Sequence, residues 1–289
     1  MMGRVWWILG RLEVGASLAY GVTFIVLWTQ LEKRFVFFPV AELLHTPNDV
    51  NLEYEDIRVQ TSDGLALQSW FIPGKSETES NVTWLWFHGN GGNLGHRIGE
   101  LALAHHRTGA NIFVFDYRGY GESEGAPSEK GTYLDSRAVM EYLSSRSDVD
   151  PRRIVYLGHS LGAAVAVELA LTQPPMAMVL VSPFASVRDM ANLTLPVPPI
   201  GWLVRNHYDS VSRIQQLYVP VLVLHGDQDE TVPIDQGRKL YGAANQPKRF
   251  QALKGAAHND IFEVAPEQYW RTIEAFLAER EEAEVKPLK

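Results

Sequence analysis

The chain of 289 residues contains no cysteine. This absence excludes a disulfide framework, a thiolate metal site and a cysteine nucleophile. It leaves the redox compartment open, because a chain of this length can bury a large core without disulfides. Basic residues are not in excess either, since 26 lysines and arginines face 34 aspartates and glutamates and give a formal net charge of −8. We therefore expect no nucleic-acid partner, because nucleic-acid binders present a basic face.

Charge is missing from one long run near the N-terminus. Residues 14–31 contain no Asp, Glu, Lys or Arg, and a helix of about 20 residues spans the hydrocarbon core of a bilayer. Trp28 near the end of the run, with Lys33 and Arg34 after it, suits a membrane interface. We predict that residues 1–34 form an uncleaved N-terminal membrane anchor or an associated helix, because no small-x-small cleavage site follows Trp28. A helix that packs on the main domain or lies in the interface stays open, and so does the side of the membrane on which that domain lies.

After this run, short apolar segments alternate with helical patterns. Residues 82–87 and 154–157 are continuous apolar segments, and residues 129–145 are typical of the helices between them. This alternation predicts an α/β fold in which a mostly parallel central sheet has helices on both faces. Residues 57–73 predict a hairpin around Asp63 that adds antiparallel strands at one edge.

One segment breaks the alternation. Residues 183–218 join two predicted strands and include the apolar, proline-rich stretch LPVPPIGW. Connections of this length are usually functional in a compact domain. We predict a small cap insertion within a catalytic domain of residues 35–289, and Leu195, Trp202 and His207 are candidates for lining its substrate pocket.

A serine stands where a predicted strand turns into a predicted helix. Residues 158–162 read Gly-His-Ser-Leu-Gly, and the pattern Gly-x-Ser-x-Gly alone is a weak signal. At a strand-to-helix corner it is typical of a nucleophile elbow, in which the two glycines avoid collisions with the neighbouring strand and helix. The N-terminus of the helix also favours developing negative charge. The alternative is that Ser160 is an ordinary helix N-cap.

A glycine-rich segment, HGNGGN at residues 88–93, directly follows another predicted strand. Glycines leave backbone N–H groups accessible, as the oxyanion of a tetrahedral intermediate requires. By position, we expect the N–H groups of Asn90 and Leu161 to form an oxyanion hole. A phosphate-binding loop is the alternative, although neither Gly-x-Gly-x-x-Gly nor the P-loop pattern occurs here.

Two more post-strand loops supply a carboxylate and a histidine. In HGDQDETVP, Asp227 and Asp229 compete as the acid; Asp229 lies further into the loop, whereas we expect Asp227 to brace the turn through local backbone. Asp235 reads as a helix-start residue. In KGAAHND, His258 combines a small-residue loop, a post-strand position and a place after the acid. A serine nucleophile needs such a histidine base, which in turn needs a carboxylate.

These motifs together resemble the α/β-hydrolase superfamily, and within it the membrane-anchored bud-emergence-homologue branch. The segments that support the resemblance are FHGNGGNLGHR, FDYRGYGESEG, GHSLGAAVA, HGDQDETVP and GAAHND. The order of serine, acid and histidine along the chain is also the order in that superfamily. The resemblance implies the α/β-hydrolase fold and serine-hydrolase chemistry with Ser160, Asp229 and His258 as the catalytic triad.

The expected reaction is hydrolysis of a carboxylic ester or thioester through an acyl-enzyme on Ser160, with no metal and no cofactor. The apolar cap and the predicted anchor favour a small-molecule or lipid acyl substrate. A non-catalytic membrane-anchored scaffold on a hydrolase fold stays open, because fold does not imply activity. A peptidase or amidase stays open as well. The sequence predicts neither the natural acyl group nor the oligomeric state.

Overall fold

A mixed sheet of eight strands runs through the computed structural model, which describes residues 34–75, 82–194 and 204–285. The chain divides into two compact units, Met1–Phe38 and Pro39–Lys289, and the second contains the sheet. The strands in the described residues are β1 Phe38–Pro39, β2 Glu55–Gln60, β3 Ala66–Ile72, β4 Thr83–Phe87, β5 Gly91–Gly92, β6 Asn111–Phe115, β7 Ile154–His159, β8 Ala177–Val181, β9 Val221–Gly226 and β10 Lys248–Leu253. All of them except β1 and β5 belong to the eight-stranded sheet.

The strand order in the sheet is β10-β9-β8-β7-β4-β6-β3-β2. Neighbouring strands from β10 to β6 pair in parallel. Strand β3 runs antiparallel to both β6 and β2, so the hairpin β2–β3 forms one edge. The predicted mostly parallel sheet with an antiparallel hairpin at one edge is therefore confirmed.

Helices connect the strands and cover the sheet. They are α1 Ile98–Thr108, α2 Glu129–Ser145, α3 Leu161–Ala170, α4 Val187–Thr194, α5 Ser210–Ile214, α6 Ile234–Ala243, α7 Ile261–Val264 and α8 Pro266–Val285. Strands β4, β8 and β9 are apolar over most of their length and buried throughout. Burial along a whole strand is expected of a parallel sheet that is covered on both faces.

The segment between β8 and β9 holds two short helices, α4 and α5, which the sequence did not predict individually. Leu195 and Trp202, the two apolar pocket candidates, lie outside the described residues, so the cap and its bounds stay a prediction. The anchor expected at residues 14–31 lies outside them too. Within the ranges that the structure describes, none of the helices combines the length and the apolar character needed to cross a bilayer.

The parallel strands place their carboxyl ends along a common edge of the sheet, where ligands bind in open α/β folds. The loops that follow β4, β7, β9 and β10 begin at this edge. These are the four loops in which the sequence places its candidate residues. The topology thus brings segments together that lie more than 150 residues apart in the chain, such as His88 and His258.

Candidate active site

Ser160 forms a strained corner between β7 and α3. Its backbone has φ 53° and ψ −113°, a region that non-glycine residues rarely adopt and that the surrounding structure must impose. The N–H of Ser160 donates a hydrogen bond of 2.9 Å to the carbonyl of Val181, which ties the corner to β8. Its side chain makes no capping hydrogen bond to α3. Ser160 therefore occupies the N-cap position without acting as an ordinary N-cap.

The glycines on either side of the corner have steric reasons to be there. A β-carbon at Gly162 would lie 2.0 Å from the carbonyl oxygen of Phe87, in the neighbouring strand β4. A β-carbon at Gly158 would lie 2.6 Å from the Cα of Ala163, in the following helix. Both distances are far inside van der Waals contact, so the predicted role of the two glycines is confirmed.

Three candidate residues meet at this corner. The Oγ of Ser160 lies 3.1 Å from Nε2 of His258, and Nδ1 of the same ring lies 2.7 Å from Oδ2 of Asp229. The three residues are only 6 to 7% exposed. In this arrangement an imidazole can accept the serine proton while the carboxylate holds its tautomer and orientation. We call Ser160, Asp229 and His258 the serine site.

Asp229 is held as a carboxylate. Burial alone would raise its pKa, but hydrogen bonds from His225, His258 and the backbone N–H of Val232 hold the pKa well below its ordinary value. Its Oδ1 accepts the N–H groups of Thr231 at 3.0 Å and Val232 at 2.7 Å. These donors orient the carboxylate before any substrate arrives.

The predicted oxyanion donors lie at the same edge of the sheet, one at the start of α3 and one in the loop after β4. Leu161 is the first residue of α3, where backbone N–H groups have no acceptor within the helix. Asn90 lies three residues beyond the end of β4, and its carbonyl accepts a hydrogen bond of 2.8 Å from the hydroxyl of Tyr120. The buried His88 lies in the same loop, with Nε2 3.2 Å from Oδ1 of Asp116. The roles of the two N–H groups stay a prediction.

Comparison with known proteins shows the family to which the chain belongs. A family model described as alpha/beta hydrolase fold matches residues 85–203. The alpha/beta hydrolase domain-containing protein WAV2 of Arabidopsis thaliana is 35% identical over 290 residues, which cover 91% of this chain and 94% of WAV2. Protein bem46 of Schizosaccharomyces pombe is 33% identical over 279 residues, with 92% of each chain covered. The chain belongs to the α/β-hydrolase family.

A solved structure agrees with this α/β-hydrolase assignment at the level of the fold. The esterase Pf2001 of Pyrococcus furiosus superposes with a TM-score of 0.68 at 21% identity, over 84% of this chain and 98% of that one. At this identity the similarity supports the fold alone.

Asp227, the other aspartate of the segment HGDQDETVP, bonds a neighbouring loop in this α/β hydrolase. The Oδ1 of Asp227 accepts the N–H of Gly255 at 2.7 Å, in the turn that follows β10. Gly255 has φ 77°, a conformation that favours glycine. Asp227 therefore braces a turn, as predicted, but through the neighbouring loop and not through local backbone. Asp235 lies in the first turn of α6, as predicted, and pairs with Arg238 at 3.0 Å.

His225 is a neighbour of the serine site that the sequence analysis missed. Its Nε2 lies 2.8 Å from the carbonyl of Val232 and 3.4 Å from Oδ2 of Asp229. The residue is fully buried, and a β-carbon at Gly237 would lie 2.3 Å from its Nδ1. The available signal was the spacing of four residues between His225 and Asp229, but nothing in that spacing shows that the ring turns back towards the acid.

His159 supports the histidine loop. Its Nε2 lies 3.0 Å from the carbonyl oxygen of His258, and the two imidazole rings are 5.0 Å apart. Burial, together with the nearby His258, lowers the pKa of His159 to about 3. The ring is therefore neutral at pH 7 and can donate one hydrogen bond to the His258 carbonyl.

His207, the third pocket candidate, is tied down through its backbone. Its N–H donates to Oε2 of Glu129 at 2.6 Å, and its carbonyl accepts the N–H of Val187 at 2.9 Å. Among the described residues, no hydrogen bond joins its side chain to the serine site. The structure thus brings Ser160, Asp229 and His258 together but does not bond His207 to them, and its contact with substrate stays a prediction.

Proposed function

We propose that this α/β hydrolase is a serine hydrolase that cleaves carboxylic (acyl) esters or thioesters through an acyl-enzyme on Ser160. The observation that supports this most directly is the hydrogen-bonded line from the Ser160 hydroxyl to His258 at 3.1 Å and on to Asp229 at 2.7 Å. A serine at a strained, glycine-flanked corner provides the nucleophile, and an imidazole oriented by a carboxylate provides the base.

The proposed mechanism has two halves. The Oγ of Ser160 attacks the acyl carbonyl while Nε2 of His258 takes its proton, and the N–H groups of Asn90 and Leu161 stabilise the oxyanion. His258 then returns the proton to the departing alcohol or thiol, which leaves an acyl-enzyme. A water molecule attacks that ester, again through His258, and releases the carboxylic acid and the free serine. Asp229 stays ionised throughout and stabilises the imidazolium.

Two features favour an acyl substrate with a hydrophobic part. The predicted cap contains an apolar, proline-rich stretch, and the predicted N-terminal anchor would bring the catalytic domain to lipids or lipidated molecules. The alternatives are a non-catalytic scaffold on a hydrolase fold and a peptidase or amidase.

Labelling with a fluorophosphonate probe tests the nucleophile. We expect wild type to label and Ser160→Ala not to label, because the probe reacts with activated serines. Ser182→Ala is a matched control: Ser182 is also buried, at the end of β8, and also has positive φ, at 46°. It should label like wild type. A folded wild type that does not label would favour the scaffold.

The substrate class needs a second assay. We expect hydrolysis of short acyl p-nitrophenyl esters that is lost in Ser160→Ala, with little cleavage of peptide anilides. An acyl-chain-length series would then define the pocket. Cleavage of anilides without cleavage of esters would refute the ester assignment and favour a peptidase.

A further inference from the structure

Side chains hold three consecutive carbonyl groups of the loop after β4. The carbonyl oxygens of His88 and Asn90 accept hydrogen bonds from the hydroxyls of Tyr117 at 3.1 Å and Tyr120 at 2.8 Å. The carbonyl between them, that of Gly89, lies 2.7 Å from Nδ1 of His88. The peptide that contains the Asn90 N–H is thus held by an imidazole, and the peptides on both sides of it are held by tyrosine hydroxyls.

The next two carbonyl groups are held as well. A guanidinium nitrogen of Arg97 donates to the carbonyl of Gly91, and the N–H of Val40 donates to the carbonyl of Gly92 at 3.1 Å. We call residues 88–92 the oxyanion loop. In a planar trans peptide the N–H of one residue points away from the carbonyl of the residue before it. Donors that fix these carbonyls therefore also fix the directions of the N–H groups, including that of Asn90.

The two tyrosines are well placed to act as rigid donors. Both are fully buried, and their ring centroids lie 4.5 Å (Tyr117) and 5.3 Å (Tyr120) from the ring of His88. Burial raises the pKa of Tyr117 well above its ordinary value, so its hydroxyl stays protonated. The turn that contains both residues is closed at Gly121, where a β-carbon would lie 2.2 Å from Oδ2 of Asp116. That same Oδ2 atom accepts the N–H of Leu94 at 3.3 Å, just beyond the oxyanion loop.

We propose that Tyr117 and Tyr120 are positioning residues that hold the oxyanion loop through their hydroxyl groups. Neither side chain is required to touch the substrate; each acts on the Asn90 N–H through the backbone. The inference rests on the proposed function, since it gives the Asn90 N–H its task. It also gives a role to the motif FDYRGYGESEG, from which both tyrosines come.

Three Tyr→Phe variants test this proposal, because each removes a single buried hydroxyl. Tyr120→Phe and Tyr117→Phe remove the bonds to the oxyanion loop. Tyr156→Phe is the matched control, because Tyr156 is also fully buried and its hydroxyl donates to the carbonyl of Gln173 at 2.8 Å, which is outside the oxyanion loop. All three variants should lower the Tm by a similar amount, about 2 to 4 °C.

The kinetic expectation separates positioning from stability. Loss of a whole oxyanion donor costs about 100- to 1,000-fold in kcat, and a misplaced donor should cost less. We expect kcat on a p-nitrophenyl ester to fall about 10- to 100-fold in Tyr120→Phe, with KM within about 2-fold, because the oxyanion forms only after binding. The affinity for an alkyl trifluoromethyl ketone, which mimics the tetrahedral intermediate, should fall by a similar factor. Tyr117→Phe should behave in the same way, and Tyr156→Phe should match wild type in both.

Amide hydrogen exchange gives a readout that does not depend on turnover. Exchange at residues 89–92 should be faster in Tyr120→Phe than in Tyr156→Phe. Equal exchange, with kcat and ketone affinity equal to those of the control, would overturn the proposal. If Ser160→Ala kept wild-type turnover, the proposed nucleophile would be wrong, and the exchange comparison would still decide whether the hydroxyls hold the loop.

Discussion

The serine site and the cluster of Arg118 with Asp63 and Asp135 both contain a buried carboxylate, but the nitrogen group that bonds this carboxylate differs between them. Arg118 donates to Oδ1 of Asp135 and to Oδ2 of Asp63 at 2.8 Å each, and so ties α2 to the hairpin turn between β2 and β3. Its guanidinium is charged at every accessible pH. In the serine site, the nitrogen partner of the carboxylate is an imidazole that also contacts a hydroxyl.

Shifted carboxyl pKa values occur in both places. Burial raises the pKa of Asp135 to about 6, against the hydrogen bonds from Arg118. Hydrogen bonds from Arg118 hold the pKa of Asp63 well below its ordinary value, as those from two histidines do for Asp229 despite its burial. A shifted pKa alone therefore does not distinguish an active site from a structural ion pair. The features that set the proposed active site apart are the strained backbone of Ser160 and the imidazole of His258 between a carboxylate and a hydroxyl.

We expect the largest effect from Asp229→Asn, which tests whether the serine site, unlike the Arg118 cluster, determines the rate of ester hydrolysis. The amide keeps the shape of the side chain but loses the charge that fixes the His258 tautomer, so we expect kcat to fall by about 10,000-fold. Ester turnover by purified protein measures it. Asp227→Asn is the control in the same loop, and its kcat should stay within about 3-fold of wild type because the Asp227 carboxylate bonds Gly255 and Gln228. A loss of less than about 10-fold in Asp229→Asn would contradict its role as the orienting acid.

A smaller effect, on stability rather than on rate, is expected from Asp135→Asn. Asp135 is fully buried, and its removal as a charge leaves the guanidinium of Arg118 paired only with the partly exposed Asp63. The two oxygens of Asp135 accept the backbone N–H and the Nε–H of Arg118 at 2.9 and 2.8 Å. The amide has a single acceptor oxygen, so a buried donor loses its partner, which costs about 1 to 3 kcal/mol. Urea unfolding at pH 7 measures the loss, and kcat of the folded enzyme should stay near that of wild type. If Asp135→Asn were as stable as wild type, Asp135 would not stabilise the fold. If its kcat fell as much as that of Asp229→Asn, Asp135 would act in catalysis as well.

The features that the sequence predicted follow from local patterns, whereas the features that it missed depend on contacts that form only in the folded protein. The strands and the corner at Ser160 follow from local patterns: apolar runs, and two glycines whose missing side chains the packing requires. The strand order of the sheet determines which loops meet, and the family resemblance implied that order. The approach of His225 to Asp229 and the bond from Tyr120 to the carbonyl of Asn90 depend on side-chain directions within the folded sheet. No periodicity in the sequence encodes such directions.

The short helices were missed for a related reason. Helix α7, Ile261–Val264, is a single turn, and α5, Ser210–Ile214, is scarcely longer. Helices of this length are not stable on their own and form because tertiary packing holds them. Their sequences contain too few turns to show a helical period, whereas the 17 residues of α2 show one clearly.

An effect that is confined to part of the pH range is expected from Glu100, a carboxylate outside both clusters. Burial raises the pKa of Glu100 to about 7 from its ordinary 4.5, although Arg97 lies 3.9 Å away. Between these pH values the folded state holds a proton that the unfolded chain has lost, so rising pH favours unfolding. Stability should fall between pH 4.5 and 7 and then level off.

Glu100→Gln removes this titration. Its stability should match that of wild type near pH 4.5 and exceed it at pH 8, by up to about 3 kcal/mol. Tm measured from pH 4.5 to 8.5 would show the gap opening on the alkaline side. Glu141→Gln is the control, because Glu141 is an exposed glutamate on α2 and its substitution makes the same change of charge without altering a buried carboxyl group. A wild type more stable than Glu100→Gln throughout this pH range would mean that the Glu100 carboxylate is stabilised by its surroundings, as Asp229 is, and that burial is not its dominant cost.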